Sequence, residues 1–321
     1  MGDRSRDLPR DLIVIAASGP MAAMADVISA AFAVQFKAPT PQVSDTAPRS
    51  AFADFCRAAD SPPDVVFSHR RMSHAELARC RRADAGDIIE IPVGFEIAAF
   101  VTRRGTPALD LTIGQLFDLL AANGPRPLRW ADEGVRGFGG EVRILLPPRA
   151  DPSFDIVREH IMLTACRGRP GLGDRPAAAS RLAASGAVRD DDGVVTEIDD
   201  RTIPKSLTDG VIGLVGNSVL QRNAADLQPV LIEGRGPSML TVASGDYPAA
   251  RPVFVYAKAA QMRNGRGGGK VRGLRDMANF IASDDITGQN GVLSRLGLIM
   301  LPAEQRISVR MRTMALMPFD R

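Results

Sequence analysis

The residues Ala17 to Pro20 follow a short apolar run and precede a segment of helical character. A loop in that position places the N–H groups of a helix N-terminus at the carboxyl end of a strand, where they can bind an anion. An ordinary strand-to-helix connection has the same composition and is more common. Both interpretations therefore remain open from these residues alone.

The segment Gly265 to Lys270 reads GRGGGK, which invites comparison with a phosphate-binding P-loop. A P-loop requires GxxxxGK followed by Ser or Thr, between a strand and a helix. Here the spacing is one residue short, Val271 follows Lys270, and the preceding segment is polar. We therefore predict a mobile surface loop.

No other pattern in the chain indicates enzyme chemistry. The sequence contains no GxSxG and no HExxH motif. The acidic run Asp190 to Asp192 is typical of a solvated loop. The chain has 3 cysteines, none in a CxxC pair, and 3 histidines, which is not the pattern of a zinc site. We predict no catalytic residue, no metal site and no cofactor.

The length and composition of the chain favour a two-lobed protein and argue against a nucleic-acid-binding protein. A length of 321 residues exceeds the size at which a single core stops growing, so two lobes are expected. The net charge is only +3, the arginines are scattered, and aromatic residues make up 5% of the chain, so no nucleic-acid partner is predicted.

No apolar run reaches the length of a membrane span. The first eleven residues are charged and lack the apolar core of a signal peptide. A cytoplasmic protein, a removed signal and a missed start site are all compatible with this sequence.

Strands and helices alternate along the chain, which predicts an α/β fold. A buried strand is predicted at 12–16, and a late strand at 253–256 follows a turn and begins near Pro252. A late strand that rejoins an early sheet closes the first lobe of a two-lobed protein, although an ordinary single-domain strand fits equally well. Further strands are predicted at 39–43, 64–67, 88–101 (broken by Pro92 and Gly94), 142–146, 211–215 and 230–233, and helices at 21–32, 50–59, 73–82, 112–124, 155–165, 218–227 and 274–283.

Local capping patterns support several of these helices. Ser73 with Glu76 and Thr112 with Gln115 have the spacing of a capping box. Ser50 and Asn217 are predicted N-caps, and the pair Asn123–Gly124 is predicted to end a helix.

Five segments together resemble one family, the PstS-like phosphate-binding periplasmic solute-binding proteins of ABC transporters. They are ASGPM, AFADFC with DVVFSHRRMSHAELARC, IIEIPVGFEIAAFV, the long segment ending in ASGDYPAARPVFVYAK, and GVLSRLGLIMLPAEQR. The fourth is the most specific, because the family reads ASGxYPxxRPLFxYxK there. The resemblance runs from about Asp11 to Arg306.

The resemblance implies a two-lobed periplasmic-binding-protein fold of type II, in which each lobe is a mixed sheet flanked by helices and crossing hinge strands join the lobes. Lobe 1 would comprise 10–98 and 246–321, and lobe 2 would comprise 99–245, after a flexible segment at 1–9. A small anionic solute (phosphate or another oxyanion or carboxylate) would bind in the cleft and close it. Export to the periplasm, a membrane permease as partner and a monomeric state are also implied.

The chain departs from the family at the ligand loops. The resemblance places the ligand set at Ser18, Gly19, Arg49, Ser50, His69, Arg70, Glu96, Arg149, Asp151 and Ser153. Pro20, Pro48 and Pro152 each remove a backbone donor there, and Asp151 adds a carboxylate where an anion should lie. The Arg and His residues could supply positive charge instead, although His69 could equally be a structural histidine and Arg70 part of a surface ion pair.

The resemblance also implies a disulfide between Cys56 and Cys80 in an exported protein, with Cys166 left free. Because scaffold residues persist while ligand residues change, we expect altered phosphate recognition in a transport receptor. The alternative is a sensory or interaction protein on the same fold that has lost solute uptake.

Overall fold

The computed structural model describes residues 10–45, 51–57, 63–83, 85–122, 129–132, 134–135, 138–168, 188–190, 192–262 and 271–320. The predictions for the segment 1–9, for Arg49, Ser50 and Pro48, for the Asn123–Gly124 helix end, for Asp191 and for the 265–270 loop lie outside the described residues, as does the side chain of Cys166.

The strands alternate with helices along the chain, as the sequence pattern predicts. The strands are β1 (Val14–Ala17), β2 (Gln42–Asp45), β3 (Val65–Ser68), β4 (Ile88–Arg103), β5 (Asp110–Leu111), β6 (Arg143–Leu146), β7 (Val195–Glu197), β8 (Val211–Gly216), β9 (Leu227–Pro229), β10 (Leu231–Ile232) and β11 (Ala250–Lys258).

The helices in the described residues are mostly short. They are α1 (Pro20–Phe36), α2 (Ala51–Phe55), α3 (His74–Arg82), α4 (Ile113–Leu120), α5 (Pro152–Ile156), a π-helical turn (Val157–Met162), α6 (Leu163–Gly168), α7 (Ile203–Ser206), α8 (Asn217–Arg222), α9 (Met239–Ala243), α10 (Ala259–Met262), α11 (Leu274–Ile281), α12 (Asp284–Thr287), α13 (Val292–Arg295) and α14 (Ala303–Met314).

The chain divides into two compact units built from exchanged segments. Unit 1 comprises the described residues of Met1–Phe95, Pro252–Leu296 and Met300–Arg321, and unit 2 those of Glu96–Arg251 and Gly297–Ile299. The chain therefore passes from one unit to the other within β4, and again within β11.

Unit 1 is built on parallel strands joined by one late antiparallel strand. β1 pairs in parallel with β2 and with β3, and β11 pairs antiparallel with β3, from Phe254 opposite Ser68 to Ala257 opposite Val65. The sequence left two interpretations open for the late strand, and the pairing shows that it rejoins the sheet of the opening strand.

A buried cluster beside this sheet contains the Cys56–Cys80 disulfide, whose Cα atoms lie 4.2 Å apart. Phe52 and Phe55 come to it from α2, and Tyr256 from β11. The disulfide therefore lies within an apolar core, with both cysteines at most 2% exposed.

Unit 2 contains a second mixed sheet. β6 pairs in parallel with β7 and β8, and β4 runs antiparallel to β8 and β9. β5 and β10 form a separate parallel pair. Trp130 is fully buried, and its indole Nε1 donates to the carbonyl of Gly210 at 2.7 Å, which anchors this side chain in the core of unit 2.

Several local predictions are confirmed and several are wrong. Both capping boxes form, at the N-termini of α3 and α4. The predicted break at Pro92 and Gly94 is wrong, because β4 continues through both. Proline fits an extended backbone, and Gly94 adopts φ 148°, which glycine tolerates.

Three further corrections concern element ends. Asn217 is not the N-cap of α8 but its first residue; its side chain donates instead to the carbonyl of Gly297 at 3.0 Å. That helix ends at Arg222, and Leu227 begins β9. Pro252 is the third residue of β11 rather than its start.

The helix predicted at 155–165 begins earlier than expected. Pro152 is already helical, because Asp151 caps α5 by accepting a hydrogen bond from the N–H of Ser153 at 2.8 Å. In the described part of the chain, no helix combines the length and apolar composition that crossing a bilayer requires.

Candidate functional site

In unit 1 the predicted ligand residues lie at one edge of the sheet. Ser18 and Gly19 follow β1, and His69 and Arg70 follow β3. β1 and β3 are parallel, hydrogen-bonded neighbours, so their carboxyl ends meet at that edge. The fold thus brings these two pairs of residues together, as a strand-end binding site requires.

The first of these loops offers few backbone donors. Gly19 caps α1 with φ 51°, a conformation that favours glycine, and no side chain caps the helix. Pro20 has no N–H, and the N–H groups of Met21 and Ala22 donate to the carbonyls of Ser18 and Gly19 at 3.1 and 2.9 Å. The first turn of α1 therefore satisfies its own donors in large part.

The second loop carries a cation that is already engaged. The guanidinium of Arg70 donates to both carboxylate oxygens of Glu76, at 2.6 and 2.8 Å, and lies 5.0 Å from the centre of the Phe52 ring. The hydroxyl of Ser68 donates to the carbonyl of Arg70 at 2.8 Å, which fixes the backbone. His69 is half-buried.

These contacts set the charge of the pair. The hydrogen bond to Glu76 raises the pKa of Arg70, and burial opposes this change. Burial raises the pKa of Glu76, but hydrogen bonds from Arg70 and Ser73 outweigh it and lower that pKa to about 2. Both groups are charged at neutral pH, so any anion reaching Arg70 competes with Glu76.

A second ion pair lies beside this loop, buried deeper in unit 1. Arg71 contacts Glu90 at 2.7 Å, and the hydroxyl of Tyr256 donates to the same carboxylate at 2.8 Å. The N–H of Met72 in turn donates to the Tyr256 oxygen. This chain of hydrogen bonds joins β3, β4 and β11, which indicates a structural role.

In unit 2 the predicted ligand residues after β6 lie at the start of α5. Asp151 accepts hydrogen bonds from the N–H and the hydroxyl of Ser153, at 2.8 and 2.5 Å. Burial raises the pKa of the nearby Asp200, and the charges of Asp151 and Asp199 raise it further. The carboxylates make this loop unfavourable for an anion.

The cation of this loop is only loosely held. Arg149 lies 3.6 Å from Asp190 and 5.4 Å from the centre of the Phe154 ring, and it donates to the carbonyl of Val188 at 3.5 Å. Its side chain is 39% exposed. Arg149 can therefore reorient toward a ligand at low cost.

The remaining predicted residue, Glu96, is bound to a residue that sequence reasoning missed. The Nε of Arg251 donates to Glu96 Oε2 at 2.7 Å, and Arg251 Nη1 lies 3.7 Å from Glu159 Oε2. Burial lowers the pKa of the adjacent His160, and the charge of Arg251 lowers it further. Glu96 and Arg251 are respectively the first and last residues of the long segment of unit 2.

Unit 2 also gathers its candidates at one edge. The carboxyl ends of the parallel strands β6 and β8 lie together, and Ala98 of the antiparallel β4 pairs with Gly216 at the end of β8. Glu96 therefore lies at the same edge as the loop of Arg149 and Asp151. In the described residues no group of three or more His, Cys, Asp or Glu side chains could hold a metal ion.

In open α/β sheets, ligands bind outside the carboxyl ends of the strands, and the candidate loops of each unit lie at such ends. The family model described as a PBP superfamily domain matches residues 6–285, and the chain belongs to that family. Its fold is the periplasmic-binding-protein fold of type II. No curated protein sequence matches the chain.

Solved structures with the same fold share little sequence with this chain. A possible phosphate-binding protein from Planctomyces limnophilus is 18% identical, with a TM-score of 0.71, and 97% of this chain and 100% of that one are covered. PstS from Borrelia burgdorferi is 14% identical, with a TM-score of 0.60 and coverage of 92% and 100%. An ABC-type phosphate transport receptor from Vibrio cholerae is 13% identical, with a TM-score of 0.58 and coverage of 90% and 99%. At these identities the likeness concerns the fold.

Proposed function

We propose that this protein is a solute-binding receptor of an ABC transporter that binds a small anion and has altered phosphate recognition. The observation that carries the proposal is the family match over residues 6–285. The PstS of Borrelia burgdorferi and the phosphate transport receptor of Vibrio cholerae have the same fold. The strand-end loops with Ser18, Gly19, His69 and Arg70 are the part of the proposed site that lies in unit 1.

We infer altered phosphate recognition because a candidate cation is already paired, backbone donors are missing and a carboxylate is added. Arg70 is bound bidentately by Glu76, Pro20 and Pro152 lack an N–H, and Asp151 adds a negative charge at the start of α5. The carboxylates oppose an anion more strongly as its charge rises, and the missing N–H groups remove donors that any oxyanion would use. The solute is thus an anion of lower charge, or one held in part by Arg149.

The same proposal includes a periplasmic location, docking on a membrane permease, a monomeric state and no catalytic activity. Native mass spectrometry of gently purified protein tests the central point, because a receptor retains a stoichiometric small molecule. Calorimetry with the released compound then measures its affinity. Protein that carries no solute and binds none of the tested anions contradicts the proposal.

A second candidate function is a sensory or interaction protein that has lost solute uptake. The observation that favours it is that Arg70 and Arg251 both have carboxylate partners within the chain. Genes for a permease beside this one would favour the receptor. Recovery of a macromolecular partner from affinity purification, without any bound solute, would favour the second candidate.

A further inference from the structure

Arg251 contacts Glu96, a residue of the predicted ligand set, and is more deeply buried than Arg70 and Arg149. Its side chain is 2% exposed, and its Nε donates a hydrogen bond to Glu96, whose side chain is 11% exposed. This contact neutralises the charge of Arg251 but occupies only one side of the guanidinium. The two remaining nitrogens, Nη1 and Nη2, form the terminal edge of the fork.

One nitrogen of this edge, Nη2, is buried and lacks an acceptor among the described residues. Glu159 Oε2 lies 3.7 Å from Nη1, which is close enough for attraction but too far for a hydrogen bond. A buried charged donor without an acceptor is unfavourable, so its persistence calls for a functional explanation.

The neighbouring element has features of a binding site. Glu159 and His160 lie on the π-helical turn Val157–Met162, and π-helical turns occur frequently at functional sites. The Glu159 side chain is 43% exposed, so it can rotate into solvent and uncover Nη1. The group formed by Arg251, Glu96 and Glu159 is therefore buried at Arg251 and exposed to solvent at Glu159.

We propose that the Nη1–Nη2 edge of Arg251 binds the carboxylate group of a small solute, which displaces Glu159. A planar carboxylate matches the two parallel donors of the fork. The charges of Arg251, Glu96 and Glu159 already sum to −1, so a monoanionic carboxylate is repelled less than a phosphate dianion. This inference rests on the proposed function, for which it names the chemical class of the solute.

Calorimetric titration with acetate, succinate and inorganic phosphate, each up to about 10 mM, tests the proposal on the full chain. We expect a carboxylate to bind more tightly than phosphate. Glu159→Gln removes the competing charge and is expected to strengthen carboxylate binding at least threefold. Arg251→Lys is expected to weaken it at least tenfold, because Lys lacks the fork. The exposed Glu197→Gln in the same unit serves as the matched control.

Equal carboxylate affinities for the unmodified protein and Glu159→Gln overturn the proposal, as does the absence of carboxylate binding. Because Glu159 is partly exposed, this variant decides the question even where Arg251→Lys does not fold. The proposed receptor function is tested separately, by whether any solute co-purifies with the protein. A solute that co-purifies and binds Glu159→Gln and Arg251→Lys as tightly as the unmodified protein supports the receptor and overturns the Arg251 site.

Discussion

The guanidinium of Arg70 and the carboxylate of Glu76 share two hydrogen bonds, and the same carboxylate completes the capping box of α3 with Ser73. Arg70 is therefore fixed to the start of a helix and is not held by the strand-end loop alone. An anion that reaches Arg70 must offset the loss of this pair, which lowers its net affinity. The ion pair suggested by the sequence as an alternative role for Arg70 is present.

The first prediction concerns acid stability. The folded-state pKa of Glu76 is about 2, below its usual value of 4.5. A depressed carboxyl pKa stabilises the fold above the usual value, and this contribution is lost as the pH falls from 4.5 to 2. Arg70→Gln should reduce stability by about 1 kcal/mol at pH 7, since Arg70 is half exposed, and should flatten the acid dependence.

Urea unfolding at pH 7, 4.5 and 2.5 measures both effects. The matched control is Arg222→Gln, which removes an exposed arginine of unit 2 with no carboxylate partner among the described residues. Stability curves for Arg70→Gln and the unmodified protein that stay parallel down to pH 2.5 would contradict the prediction.

The second prediction concerns the buried disulfide. Cys56 and Cys80 are 24 residues apart in sequence, and closing a loop of this size contributes about 3 kcal/mol in the chain-entropy model. The double variant Cys56→Ala/Cys80→Ala should lose a similar amount, measured by chemical unfolding without reductant. Cys166→Ser should change little. Three free thiols in denatured, non-reduced protein from a periplasmic preparation would show that the disulfide does not form.

The third prediction uses the single Trp of the chain as a reporter of unit 2. Gly210, whose carbonyl accepts from Trp130, has φ 81°, and a Cβ there would lie 2.9 Å from the carbonyl oxygen of Gly139. Gly210→Ala should therefore reduce stability by about 1–3 kcal/mol, measured by tryptophan fluorescence in urea.

Gly139→Ala is the matched control for this substitution, because a Cβ at Gly139 meets nothing within 4 Å. It should unfold close to the unmodified protein. If Gly210→Ala were equally stable, the close backbone approach beside Trp130 would not exist in solution.

The local sequence patterns predicted features whose partners are near in the chain. The two capping boxes depend on residues three apart, so spacing alone identifies them. Arg70 and Glu76 are six residues apart, so the sequence could suggest an ion pair as an alternative to a ligand-binding role for Arg70. The break at Pro92 and Gly94 was wrong because both residues also fit an extended strand.

The contact between Arg251 and Glu96 could not be found in this way, since 155 residues separate the two. Only the exchange of segments brings the start of β11 beside β4. A signal was nevertheless present, because Arg251 lies in the segment with the most specific family resemblance, and Glu96 belongs to the ligand set that the resemblance implies. The π-helical turn that carries Glu159 and His160 has no comparable local sequence pattern.

The last prediction is that the unmodified protein binds orthophosphate weakly. Pro20 and Pro152 cannot donate from the backbone, and losing a hydrogen bond to a charged ligand costs about 1.5–3 kcal/mol. Asp151 adds repulsion at the start of α5. Together these changes move a micromolar affinity to the millimolar range or weaker, and partly exposed Arg149 recovers only a fraction of the loss.

Substitution at Asp151 separates its charge from its structural role. Asp151 caps α5 through the N–H of Ser153, and both Asn and Ser are good N-caps. Asp151→Asn should therefore keep the helix while it removes the repulsion. Adding a donor with Asp151→Ser/Pro152→Gly should raise phosphate affinity at least tenfold, which corresponds to about 1.4 kcal/mol.

Calorimetry at near-neutral pH compares these variants with the unmodified protein. A higher phosphate affinity for Asp151→Asn would show that the charge of Asp151 weakens binding. A still higher affinity for the double variant would show that the missing N–H of Pro152 weakens it as well. A dissociation constant of about one micromolar or lower for the unmodified protein would contradict the prediction. Phosphate would then be bound by donors other than Pro20 and Pro152, which have no N–H, and other than the N–H groups of Met21 and Ala22, which the first turn of α1 already uses.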